Sequence, residues 1–105
     1  MKILSLLALV AFLLFPSGSI AYDSSDIDRL TTLAAIYGRA TACGENVEAP
    51  IAKTETWINT TFGDEKDFYK RIFMMGMYQS AKNQSQGKTP EDCEAVLRIF
   101  RSMNF

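Results

Sequence analysis

Cys43 and Cys93 are the only cysteines in a chain of 105 residues, and the segment ahead of them decides what they can do. Met1 and Lys2 make a short basic start, and Ile3 to Phe15 is an uncharged apolar run interrupted only by Ser5. That run is too short to cross a bilayer as a finished helix. Pro16 to Gly18 break it, and Ser19-Ile20-Ala21 sets small residues where a signal peptidase cuts. The pattern predicts a Sec signal peptide over 1–21, with cleavage before Tyr22. No basic stop-transfer cluster follows, which argues against a retained anchor, and no cysteine at the cut offers a lipid attachment point. One domain, 22–105, is left, expected off the membrane in the periplasm or outside the cell.

A domain of that size has a small core and generally needs a covalent staple. An even cysteine count in an exported chain favours a Cys43–Cys93 disulfide, the alternatives being free thiols or a bridge to a partner. Closing a loop of that length stabilises a fold by about 4 kcal/mol in the chain-entropy model.

The apolar residues recur with helical spacing throughout. Ser24 and Ser25 read as an N-cap, and Ile27, Leu30, Leu33, Ala34 and Tyr37 share one face of the helix that follows. Gly44 supplies its left-handed stop just beyond Cys43. Asn46 is the expected cap of a second helix that tolerates Pro50 in its first turn, with Val47, Ile51, Thr54, Ile58 and Phe62 in register and Trp57 beside them. Trp57 to Phe62 is rich in β-branched residues, but a lone strand would find no partner elsewhere in the chain. A third helix is expected from Asp64, as its cap, to Gln86, ended by Gly87. Its two stripes, Phe68/Ile72/Met75 and Tyr69/Phe73/Gly76/Met77, predict a central helix contacted on both sides. Thr89-Pro90-Glu91-Asp92 reads as a cap with Pro in the first helical position. Cys93, Val96, Leu97 and Phe100 then face inward together. The reading is an all-α protein, a small bundle of about four helices packed around the third, with the disulfide joining the first helix to the last.

Composition excludes more than it suggests. There is no histidine, which removes His-based triads, Cys-His pairs and His-ligated zinc or copper together. Net charge is −1 with both signs dispersed, so nothing marks a nucleic-acid partner or an anionic lipid surface. Met74, Met75 and Met77 are candidate thioether ligands for Cu(I), against core packing by flexible side chains. The carboxylate groups Asp23/Asp26/Asp28 and Asp64/Glu65/Asp67 each fall at a helix start, where the dipole accounts for them. Tyr37, Trp57, Tyr69 and Tyr78 are candidate partner-surface residues, since aromatic rings dominate binding hot spots, with core packing as the alternative. No catalytic constellation emerges, so no enzyme and no cofactor are expected.

Tyr37-Gly38-Arg39-Ala40-Thr41-Ala42-Cys43-Gly44, Trp57 with Phe62, Phe73-Met74-Met75-Gly76, and Gly87-Lys88-Thr89-Pro90-Glu91-Asp92-Cys93 together resemble small exported proteobacterial proteins of unassigned function. The resemblance spans most of the mature chain. It implies a bacterial, periplasmic or secreted helical protein with its two cysteines paired, and it brings no active site with it. The expected function is binding of another macromolecule, as an inhibitor, immunity factor, chaperone or effector would. A Met-based copper carrier or small-ligand carrier is the alternative.

Overall fold

The computed structural model describes residues 23–103, and the signal peptide expected over 1–21, with its cut before Tyr22, lies outside them. The fold is all-helical, with no strand among the described residues. They form α1 (Ser24–Ala42), α2 (Glu48–Phe62), a 3-10 turn (Gly63–Glu65), α3 (Lys66–Ser85) and α4 (Cys93–Ser102).

The stops follow the glycines. At the end of α1 the Gly44 N–H donates to the Thr41 carbonyl (3.0 Å) and the Glu45 N–H to Ala40 (2.9 Å). At the end of α3 Gly87 bonds Gln84 (3.1 Å) and Lys88 bonds Asn83 (2.9 Å). This paired closure satisfies orphan carbonyls and requires a left-handed residue, and the φ values of Gly44 (90°) and Gly87 (69°) supply it.

The starts differ from expectation. Asp23, one residue before the expected serines, caps α1 by accepting from the Ser25 N–H at 3.2 Å. Asn46 accepts from the Glu48 N–H at 3.0 Å, but Val47 occupies the cap position of α2. Asp64 does not cap α3. The 3-10 turn runs directly into that helix, and the Lys66 N–H is satisfied by the Gly63 carbonyl, so the start needs no capping side chain. Thr89 and Pro90 lie ahead of α4 rather than opening it. The Thr89 hydroxyl is engaged with Gln84 Oε1 (2.7 Å) and the Glu91 carbonyl (3.0 Å), and Asp92 caps α4 through the Ala95 N–H at 2.9 Å.

α1 lies along α3 over most of its length and also touches α4, while α2 packs on α3. The bundle is thus organised on the α1–α3 pair, not on α3 alone. That crossing is close because small residues meet in it. A side chain at Gly38 would strike the α3 backbone, and a Cβ at Gly76 would lie 3.1 Å from Ala34 Cβ. Around it the core comprises Leu30, Tyr37, Ile58, Phe62, Phe73 and Phe100 with their neighbours. Tyr37 meets Phe73 and Phe100 edge to face at 6.0 and 6.2 Å, a favoured arrangement of the ring quadrupoles. Phe62 stacks on Tyr69 at 4.0 Å and so binds α2 to α3.

The cysteines are paired. Cys43 is the C-cap of α1, Cys93 is the first residue of α4, and their Cα atoms are 5.4 Å apart across 50 residues of sequence. Cys93 is exposed rather than on the buried side, because it opens α4 and the buried residues of that helix begin one turn later at Val96. Two ion pairs reinforce the same end: Arg39 to Glu91 at 2.7 Å, and Arg101 to Glu45 at 3.2 Å.

Candidate functional site

The four aromatic residues expected at a partner surface are separated by the fold. Tyr37 is 1% exposed and belongs to the centre of the core. Its hydroxyl donates to Thr54 Oγ1 at 3.2 Å, since the single Thr54 proton is committed to the Pro50 carbonyl at 2.9 Å. That relay satisfies a phenol removed from water, and it joins α1 to α2. Burial pushes the Tyr37 phenol above its ordinary 10.0, and the Arg29 charge acts in the opposite direction without cancelling it. Trp57 and Tyr69 are half-buried and pack against Phe62, whereas Tyr78 is 71% exposed.

Tyr78 has company. Phe68, Met74 and Met75 are 52, 53 and 64% exposed, and all four side chains stand on α3. Positions 68, 71, 75, 78 and 82 follow each other at three- and four-residue steps, so Phe68, Met75 and Tyr78 alternate with Arg71 and Lys82 along one outward face. The stripe Phe68/Ile72/Met75 expected in the core is therefore largely outside it. The stripe through Phe73 and Gly76 faces α1, and of the other stripe Ile72 alone packs against the core. Lys66, Lys70, Arg71 and Lys82 against Asp67 give α3 a net charge of +3, while the chain as a whole stands at −1.

The three methionines do not converge. Met74 and Met77 border one shallow groove with Gly38 and Tyr78, Met77 packing against the core, and Met75 lies outside that groove. The carboxylate groups do not form a site either. Asp64, Glu65 and Asp67 are exposed at the entrance to α3, and Asp23 is occupied as a cap. Among the described residues no three Cys, Asp or Glu side chains are placed to hold a metal ion.

A second feature went unread in the sequence. Between α1 and α2 lies a cleft of about 400 Å³, walled by Arg29, Leu33 and Tyr37 on one side and by Lys53, Thr54 and Trp57 on the other. The Arg29 guanidinium rests over the Trp57 ring at 4.9 Å. The signal was present as two short steps, 29-33-37 on α1 and 53-54-57 on α2, but nothing local says that those faces oppose one another.

No family model matches this chain, and neither a curated protein nor a solved structure shows significant similarity to it. The class reached on structural grounds is a small, disulfide-stapled helical protein with a basic and apolar helix face directed outward.

Proposed function

We propose that this chain is an exported protein, freed of a signal peptide at 1–21, whose bundle of about four helices acts by binding another protein through the outward face of α3. The carrying observation is the gathering of Phe68, Met74, Met75 and Tyr78, all more than half exposed, on one helix. Scattered exposed apolar residues need no explanation, but a contiguous group usually marks an interaction site. Aromatic and methionine side chains are the types enriched in interface cores. The partner that fits is acidic around an apolar centre, because Arg71 and Lys82 are interleaved with the apolar residues and α3 is net basic within an acidic chain. The disulfide is compatible with an oxidising compartment.

Photo-crosslinking in the native host tests this reading. A photoreactive residue at position 75 or 78 should give the same adduct, one that weakens with salt and disappears in an Arg71→Glu, Lys82→Glu background. The same residue at position 56, exposed on α2, should give none. Equal adducts from position 56, insensitivity to charge reversal, or an adduct of twice the chain mass would refute an acidic partner at this face.

A further inference from the structure

We propose that the groove between α1 and α3 seats an amphipathic helix of the partner, one with a central apolar stripe and carboxylates toward both ends. The proposal rests on the binding role of the outer α3 face and adds what lies there. The groove holds about 240 Å³, between Gly38 and Thr41 of α1 and Met74, Met77, Tyr78 and Ala81 of α3. A cavity of about 150 Å³ takes a benzene-sized ring, so the groove admits one large apolar side chain and part of a second.

The groove follows from the close α1–α3 crossing. Gly38 has no side chain and Ala81 a small one, so the seam between the helices lies low where Met74, Met77 and Tyr78 border it. Positions 74, 78 and 81, with 77 beside them, recur at three- and four-residue steps. That makes the α3 wall a helical ridge, the relief that interlocks with another helix. On the α1 wall the Thr41 hydroxyl is already committed, donating to the Tyr37 carbonyl at 2.8 Å. The thioethers of Met74 and Met77 adapt to the shape of an entering side chain.

Charge fixes the chemistry of the occupant. Among the described residues Lys66, Lys70, Arg71 and Lys82, all on α3, enter no ion pair, whereas Arg39, Arg98 and Arg101 are paired with Glu91, Glu94 and Glu45. No carboxylate lines the groove. Lys70 stands one turn before Met74, and Lys82 one turn beyond Tyr78. At about 1.5 Å per residue they are about 18 Å apart along α3. A helix laid along the groove meets both when its carboxylates are about three turns apart, with its apolar stripe between them over the methionines. Complementary charge at the two ends fixes the register, and the stripe supplies the buried contact.

Methionine methyl resonances report on the site, because Met74 and Met77 border the groove while Met103 lines the separate α1–α2 cleft. The probe is a capped, alanine-based peptide of about 16 residues, long enough to hold a helix. It carries three leucines in one central stripe and two glutamates near each end, and is titrated into the full disulfide-bonded protein. The Met74 and Met77 methyls should shift saturably and the Met103 methyl should not. Peptides with lysine for glutamate, or alanine for leucine, should each bind at least about tenfold more weakly. Replacing Lys70 and Lys82 together by glutamine should weaken the probe by about fivefold or more. Thr41→Trp, at an exposed position, should fill the groove and abolish the shifts with unchanged helical circular dichroism. Equal affinity for the lysine peptide, no Met77 shift up to about 1 mM probe, or Thr41→Trp without effect would overturn the groove as the seat. The same shifts on raising protein concentration without peptide would assign the groove to a second copy and overturn it too. The binding role of the outer face is judged separately, by the photo-adducts from positions 75 and 78.

Discussion

Gly38→Ala is the smallest change that should damage this fold, and the reason lies in the α1–α3 crossing. Gly38 is buried on α1, and a Cβ there would press against the Met77 carbonyl oxygen, 2.9 Å from Ser80 Cβ and 3.0 Å from Ala81 N. Two of those three atoms are backbone, so no rotamer change on α3 relieves the overlap. The helices have to part until the contacts approach about 3.5 Å, and a gap of about 0.5–1 Å forfeits a quarter to a half of the dispersion well for every neighbouring contact. Overpacking of a close-packed core costs about 1–3 kcal/mol, and backbone overlap puts this case at the upper end. Alanine returns about 1 kcal/mol in helix propensity. The net loss is about 2 kcal/mol, which lowers the melting temperature of a domain this size by about 8–16 °C. Gly76→Ala is the internal comparison, because its Cβ meets only the Ala34 methyl, at 3.1 Å. A shift of a few tenths of an ångström accommodates it, and the propensity gain offsets the cost. Thermal melts followed by circular dichroism at 222 nm decide the matter. A Gly38→Ala protein that melts with or above the parent, or below which Gly76→Ala falls, refutes a crossing set by backbone contact at Gly38.

Replacing Cys43 and Cys93 together by serine should remove about 4 kcal/mol of stability, read as a fall in the urea midpoint that reductant reproduces in the parent. Truncating Phe73, buried at the α1–α3 contact, to alanine should cost about 3–5 kcal/mol in chemical denaturation. Alkaline stability should depend on Tyr37: the folded phenol holds its proton above the ordinary 10.0, so the unfolded chain ionises first. Stability from this group is full below that value and is lost as pH rises through the folded one, and Tyr37→Phe should flatten the alkaline fall in urea midpoint. Met75→Ser with Tyr78→Ser should change stability by no more than about 0.5 kcal/mol while abolishing the photo-adducts at neighbouring positions of α3.

Much of the fold was legible because helix signals are local. The faces of α1, α2 and α4 were readable from three- and four-residue spacing, and Leu30, Ala34, Tyr37, Ile58, Phe62, Val96 and Phe100 are buried as that spacing requires. Gly44 and Gly87 marked the stops because only the left-handed conformation closes the carbonyls there. The starts were less legible, since Asp, Asn, Ser and Thr all have side chains able to cap, and tertiary contacts decide among neighbours. Thr89 illustrates this: its hydroxyl holds the turn to Gln84, leaving Asp92 to cap α4. The cleft was out of reach for a different reason. It depends on the relative rotation of α1 and α2, and no periodicity within either helix encodes that.

The aromatic and methionine residues of α3 mark where hydrophobicity alone misleads. Burial by size would turn Phe68, Met74, Met75 and Tyr78 inward, yet the inward side of this helix carries Gly76 and Ser80 beside Phe73. Small residues win that face because they let α1 approach until Gly38 touches the α3 backbone, and a close approach multiplies contacts along both helices at once. The large residues are then displaced to the outside by geometry, not by polarity. α3 is thus seated by Gly76 and Ser80 beside the buried Phe73, and presents Phe68, Met74, Met75 and Tyr78 to solvent. Stability and partner binding therefore draw on different faces of the same element, so loss of one without loss of the other is the behaviour expected of substitutions on α3.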